Sequence, residues 1–346
     1  MFKLRGVWPR VLENSVMVKL PLAELHCHIE GAALPELVLA QARKYNTDVS
    51  SIIRDGSYIW TDFADFLKCY EMAASLLRNS EDYALLAETY LASIAADGAV
   101  YGEFFVSPVP PFNPSLAPEA YLEGAIEGLK RAKAKHGIEA RLIMTGIRHA
   151  GVEAVEAAAH FAVKHKSHFV TGFGMAGEER IHHPKDFVRA FDIARDGGLH
   201  ITVHAGEWRG PEEIAAALDH LKPERIGHGV RAIYDDNLVR RLADEHIVLE
   251  CCPGSNIALG VFASFPEHAY PKLRKAGVKV TLNSDDPPYF WTSLAREYDI
   301  AREHFKMSEA ELLADTRVAI EAAFVDEPTR TKLLHIINQH PVANMV

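Results

Sequence analysis

Eight short apolar runs recur along the chain with helix-like segments between them, and no other feature limits the fold so tightly. They are LAELHCH (22–28), VYGEFFV (100–106), ARLIMTGI (140–147), FVTGFGM (169–175), HITVHAG (200–206), RIGHG (225–229), IVLECCP (247–253) and VKVTLNS (278–284). Each has the length and the β-branched or apolar content of a strand. The intervening stretches carry apolar residues at helical spacing. PEAYLEGAIEGLKRAKAKHG (118–137) ends on a glycine stop, and EAVEAAAHFAVKHK (153–166) and PEEIAAALDHL (211–221) read the same way. Eight strands alternating with helices predict a (β/α)8 TIM barrel. A length of 346 residues suits one such domain over 1–346. The long stretch after the first run, with TDFADFLKCYEMAASLL (61–77), predicts extra helices over the barrel mouth. SLAREYDIAREHF and SEAELLADTRVAIEAAF predict more at the C-terminus. The competing architecture is a doubly wound open sheet, but no G-x-G-x-x-G follows a strand and there is no P-loop.

The polar residues support the barrel. Active-site groups of such barrels gather at the C-terminal ends of the strands. Here those ends read HCH, HAGE, GHG, CPGSN and NSDDP. Buried runs that end in His, Glu and Asp are costly unless the groups are paired or bound to a metal. In a strand, residues i and i+2 face the same side, so His26 and His28 point together. With His204 and Asp285 they make four ligands of the kind zinc accepts, with room for water. His228 is a further strand-end histidine beside them. The zinc nucleobase deaminases that use H-x-E with P-C-x-x-C are a poor match, because His28-Ile29-Glu30 is followed by no C-x-x-C.

Bulk properties remove other classes. The net charge is −10, from 37 basic and 47 acidic residues with no basic block, which speaks against nucleic acid or an anionic membrane as the main partner. The four cysteines form no C-x-x-C pair and suit a reduced, cytoplasmic protein. The first twenty residues lack a continuous apolar segment of the secretory kind, and no run approaches the roughly 18 apolar residues of a membrane span.

The order LHCHIEG, AGEE, HAGE, RIGHG, CPGSN and NSDDP resembles the adenosine deaminase family of the amidohydrolase superfamily, over most of residues 20–300. The resemblance implies a zinc barrel, one ion per chain, that hydrolyses the 6-amino group of a purine to the 6-oxo product and ammonia. It implies that His26, His28, His204 and Asp285 hold the zinc. Glu207 looks like the proton donor to purine N1. His228 looks like the group that orients and stabilises the attacking hydroxide. Asp286 resembles the residue contacting N7, and Gly177 the backbone donor to N3. Phe63, Phe66, Leu67 and Tyr70 resemble the apolar wall of the mouth. The chemistry asks for such parts independently. Hydroxide must form at neutral pH, which a metal allows. Attack on an aromatic ring needs a proton on a ring nitrogen, which a buried glutamic acid can give.

Three positions depart from the family pattern. Glu30 stands where adenosine deaminases usually carry an Asp associated with the ribose 5′-hydroxyl, and its extra methylene carries the carboxylate about 1.5 Å further, into the space of the sugar. Adenine deaminases resemble the chain at that position, but they usually have Ser-Glu where this chain has Ala176-Gly177, and Asp-His-Gly where it has Gly227-His228-Gly229. Gly174 and Phe105 replace a common Asp and a common Arg. The expected substrates are adenosine and 2′-deoxyadenosine first, with free adenine or another modified aminopurine as the alternative. Ester or amide hydrolysis and non-catalytic nucleoside binding are rivals. Glu207 and Asp286 argue against the first of these, and Glu207 with the open ligand set against the second.

Overall fold

A computed structural model describes residues 19–109 and 115–344. The reading of the N-terminal twenty residues as lacking a leader falls almost wholly outside these. The eight runs form eight strands, all parallel and adjacent in chain order. Barrel strands one to four are Leu22–His28, Ala99–Val106, Glu139–Ile147 and Val170–Ala176. Strands five to eight are His200–Ala205, Arg225–His228, Val248–Cys251 and Lys279–Leu282. The fold is the expected (β/α)8 barrel with surrounding helices.

The seam between strands eight and one shows why the barrel closes where it does. Its ladder is a single parallel bridge, Cys27 to Asp285. The Asp285 N–H donates to the His26 carbonyl and the His28 N–H to the Asp285 carbonyl, both at 3.0 Å. Below the bridge, side chains take over from the ladder. Asn283 Oδ1 accepts the Leu25 N–H at 2.9 Å, and Glu24 accepts the N–H and hydroxyl of Ser284 at 3.1 and 2.5 Å. Closure of the barrel is therefore the same event that sets Asp285 between His26 and His28.

The lower barrel interior is polar. Arg225 donates to Glu103 at 2.5 Å and to Glu250 at 2.6 Å, and Thr202 donates to Glu250 at 3.0 Å. These groups are buried, so each charge is tolerated only because the others satisfy it. The segment after the helix Glu309–Ala322 plugs the floor: Phe324 lies under the Arg225 guanidinium, 3.5 Å from its ring centre, and its N–H donates to Glu103 at 2.6 Å.

Toward the mouth lie the helices Pro35–Tyr45 and Phe63–Ala74, with a two-stranded hairpin, Ile53–Arg54 and Ser57–Tyr58, between them, while Ser80–Asp97 packs against Pro118–His136 in the outer ring and leads into strand two. Asp62 caps Phe63–Ala74 by accepting the Asp65 N–H at 2.9 Å, a contact worth about 1 kcal/mol. The C-terminal helices appear as Leu294–His304, Glu309–Ala322 and Glu327–Gln339. Among the described residues no helix is long and apolar enough to cross a membrane.

Candidate active site

His26, His28, His204 and Asp285 meet at the C-terminal end of the barrel, with one ligand atom from each within 4.8 Å of the others. His28 Nε2 and His204 Nε2 are 3.2 Å apart, and Asp285 Oδ1 is 3.5 Å from Nε2 of both His26 and His28. The partners of the far ring nitrogens decide what these atoms offer. His204 Nδ1 faces the Met175 carbonyl at 3.0 Å, and His26 Nδ1 faces Glu250 at 2.8 Å. A carbonyl and a carboxylate only accept, so each Nδ1 carries a proton and each Nε2 is the atom left to meet a metal. His26 Nε2 is buried and has no hydrogen-bond partner among the described residues. Lone pairs and a carboxylate converging on one point fit a cation, and three imidazoles with one Asp fit a divalent metal of borderline softness.

The electrostatics agree. Burial pushes the His28 pKa down to about 4 and that of His204 well below its ordinary value, so both are neutral donors. Burial would also strip a proton from His26, but without a metal Asp285 and Glu250 outweigh it and push its pKa up to about 10, so its Nε2 holds a proton that an incoming cation displaces. Asp285 opposes its own burial in the same way: the His26 imidazole 3.5 Å away and the neighbouring histidines hold it well below the usual carboxylate range. Its other oxygen accepts the Ser255 hydroxyl at 2.6 Å. Asp285 and His228 take left-handed backbone, at φ +65° and +59°, a conformation that costs a non-glycine residue about 1–2 kcal/mol and is held here by the surrounding bonds.

Close packing explains two glycines of the motifs. A Cβ on Gly227 would stand 2.8 Å from His26 Cε1, and a Cβ on Gly31 only 1.6 Å from Asp286 Oδ1. The glycine that ends LHCHIEG is therefore the seat of Asp286. Phe105 forms an apolar wall behind the ligands, its ring centre 4.7, 5.0 and 5.2 Å from those of His26, His28 and His204.

Glu207 lies beside this cluster, one oxygen 3.6 Å from His228 Nε2 and the other 3.5 Å from Asn256 Nδ2. Burial, then the Asp285 charge, then that of Glu179 push its pKa well above the ordinary value. Asp286 is raised for the same first two reasons, and its Oδ1 is buried without a partner among the described residues. His228 is kept neutral by burial, with a pKa pushed down to about 3. The orientation of Asn256 follows from a chain of donors. The Tyr270 N–H donates to His268 Nδ1 at 3.1 Å, so His268 Nε2–H faces Asn256 Oδ1 at 3.0 Å, and the Asn256 amide nitrogen turns to Glu207 and His228.

At the mouth, Phe66 is buried and its ring centre lies 6.0 Å from that of Tyr70 and 5.8 Å from that of Tyr289, while Phe63 lies 5.5 Å from Trp208. Leu67 is 39% exposed. Gly177 follows strand four, where a Cβ would stand 2.7 Å from His149 Nδ1. Glu30 is buried directly after strand one, with the hydroxyls of Tyr121, Tyr83 and Tyr70 on its carboxyl; burial raises its pKa to about 7. Sequence reasoning missed Glu250, Asn256, His268 and Glu179. Asn256 lies in the quoted CPGSN and Glu179 in AGEE, but neither position suggested a role.

A cation cradle of histidines with a proton-bearing carboxyl beside it, at the mouth of a (β/α)8 barrel, defines a metal-dependent hydrolase. The family model for adenosine deaminase matches residues 21–340. An adenine deaminase of Mesorhizobium japonicum is 61% identical over 316 residues, which is 91% of this chain and 98% of the relative. The crystal structure of an adenine deaminase from Arthrobacter aurescens superposes with a TM-score of 0.86 at 27% identity, covering 92% of this chain and 98% of that one. An N6-methyl-AMP deaminase from Arabidopsis thaliana superposes with a TM-score of 0.82 at 27% identity, over 93% and 97%. The chain belongs to the adenosine deaminase family of the amidohydrolase superfamily. It is a hydrolase that deaminates a purine at a C–N bond, and its site takes a divalent metal.

Proposed function

We propose that this protein is an adenine deaminase, converting adenine to hypoxanthine and ammonia with one zinc ion per chain. The adenosine reading drawn first from sequence gives way to its alternative. The observation that carries the change is the name shared by the relatives at 56–61% identity, all adenine deaminases. The pocket supports it, since Glu30 is buried under tyrosines, where the sequence argument put the sugar.

His26, His28, His204 and Asp285 would hold the zinc, which supplies a nucleophilic hydroxide at neutral pH by lowering the pKa of water. The other steps belong to the protein. Glu207, kept protonated by burial and by Asp285, gives its proton to ring N1 as charge develops there, a contribution of about 10²–10⁴ in rate. His228 presents Nε2–H to the attacking oxygen, because its Nδ1 faces the Asn256 amide hydrogens at 3.5 Å. Asp286, kept protonated by burial, donates from its unpartnered Oδ1 side to N7, while the Gly177 N–H serves N3. Phe63, Phe66, Leu67 and Tyr70 shield the ring from water.

The test is kcat/KM for adenine, adenosine, 2′-deoxyadenosine and N6-methyl-AMP on zinc-loaded protein, read by ammonia or amine release. Adenine should lead by at least about 10²-fold, the scale on which an unaccommodated sugar is rejected. A lead for adenosine would return the assignment to the nucleoside.

A further inference from the structure

Glu207 sits on Gly206–Gly210, an irregular link between strand five and the helix Pro211–Leu221. A loop of this kind holds a side chain no better than its backbone is held. Here the backbone is gripped from both sides. Four consecutive N–H groups, those of Gly206, Glu207, Trp208 and Arg209, donate to one carboxylate, that of Glu179 from the loop after strand four. The distances to Oε2 are 3.2 Å from Glu207, 2.6 Å from Trp208 and 3.1 Å from Arg209. Glu179 is 3% exposed and makes no salt bridge among the described residues, so its charge is met by these backbone dipoles. From the other side Arg231 donates Nε–H to the Glu207 carbonyl at 2.6 Å and its own N–H to the Gly206 carbonyl at 3.0 Å.

We propose that Glu179 is the positioning residue of the reaction: its carboxylate, by gathering the four amides of Gly206–Arg209, fixes the Glu207 carboxyl against the purine ring. This rests on Glu207 as the proton donor. Only a carboxylate fills the place. A glutamine offers one accepting oxygen and sets an NH2 against N–H donors, and an aspartate falls short by one methylene, about 1.5 Å. A shift of about 1 Å at a reacting group costs on the order of 10²-fold in rate. The Glu179 charge also helps keep Glu207 protonated.

The experiment is a double-mutant cycle on metal-loaded protein with adenine, measuring kcat, KM, bound metal and Tm for the wild type, Glu179→Gln, Glu207→Gln and the double variant. Glu179→Gln should keep its metal, lower kcat by about 10–100-fold and leave KM within about threefold. In the Glu207→Gln background the same change should cost less than about threefold, since the group it positions no longer carries the proton. An equal loss in both backgrounds, or an unchanged kcat in Glu179→Gln, overturns the proposal. If Glu179→Gln does not fold, Glu179→Asp replaces it in the same cycle with the same criteria. Near-normal turnover by Glu207→Gln overturns the proton-donor reading and this proposal with it. A dead Glu207→Gln beside an unaffected Glu179→Gln overturns this proposal alone.

Discussion

Glu250→Gln keeps the shape of a buried side chain and removes one charge. Glu250 accepts from three donors: His26 Nδ1 at 2.8 Å, Arg225 Nε at 2.6 Å and the Thr202 hydroxyl at 3.0 Å. An amide cannot accept on both its ends. If its oxygen stays with Arg225 and Thr202, its NH2 faces His26. Nδ1 must then become the acceptor, and the one ring proton that remains sits on Nε2, the atom that faces Asp285. If the oxygen turns to His26, the NH2 faces the Arg225 Nε–H and the Thr202 hydroxyl, and a buried charged donor is left without its acceptor, at a cost of about 1–3 kcal/mol or more. Giving up the Nδ1 proton of His26, which the lost Glu250 charge no longer holds, costs less, so the first arrangement wins. Binding a metal then requires reversing it against the amide. Loss of such an outer partner typically weakens metal affinity about 10–100-fold, or roughly 1.4–2.7 kcal/mol. The assay is a competition titration with a chromogenic chelator, alongside chemical denaturation of the metal-free protein. The expected result is a Kd raised by that factor, with kcat restored to within several-fold at saturating metal. A folded variant whose Kd stays within twofold of wild type refutes the tautomer argument.

Three further outcomes are expected. Removing the metal with a chelator should abolish ammonia release, and adding back zinc alone should restore it; activity that survives with less than about a tenth of the metal bound counts against the cradle. Gly31→Ala places a methyl where Asp286 Oδ1 now lies, 1.6 Å away, so Asp286 must move and kcat/KM should fall by about 10²-fold with metal retained; an unimpaired variant removes Asp286 from substrate binding. Glu297 is buried, and burial raises its pKa from 4.5 to about 7. A raised carboxyl favours the folded state fully below pH 4.5, and that contribution is lost as pH rises to 7. Wild type should therefore lose about 3 kcal/mol across pH 4.5–7 relative to Glu297→Gln in parallel denaturant titrations, and parallel stability curves refute the shift.

The eight strands were legible because buried parallel strands must be continuous apolar runs, and every observed strand begins and ends within two residues of its run. The cradle was legible for the same reason in reverse: His and Asp at the ends of such runs have to be accounted for. What holds the cradle was not. Glu250 in IVLECCP and Arg225 in RIGHG look like interruptions of apolar runs, and Glu103 is one acidic residue among many. Their meaning is a contact across the barrel, between residues 25 and 122 positions apart, and one chain without its fold does not say which of its carboxylates faces which cation. Glu179 was hidden more deeply, since its partners are backbone amides that carry no side-chain signature at all. The contrast has a physical root. Ligand type and spacing are local properties, written into two or three neighbouring residues. The proton on His26 Nδ1 and the place of the Glu207 backbone are settled by groups from other strands and loops, and these decide whether the ligands and the proton donor stand where the chemistry needs them.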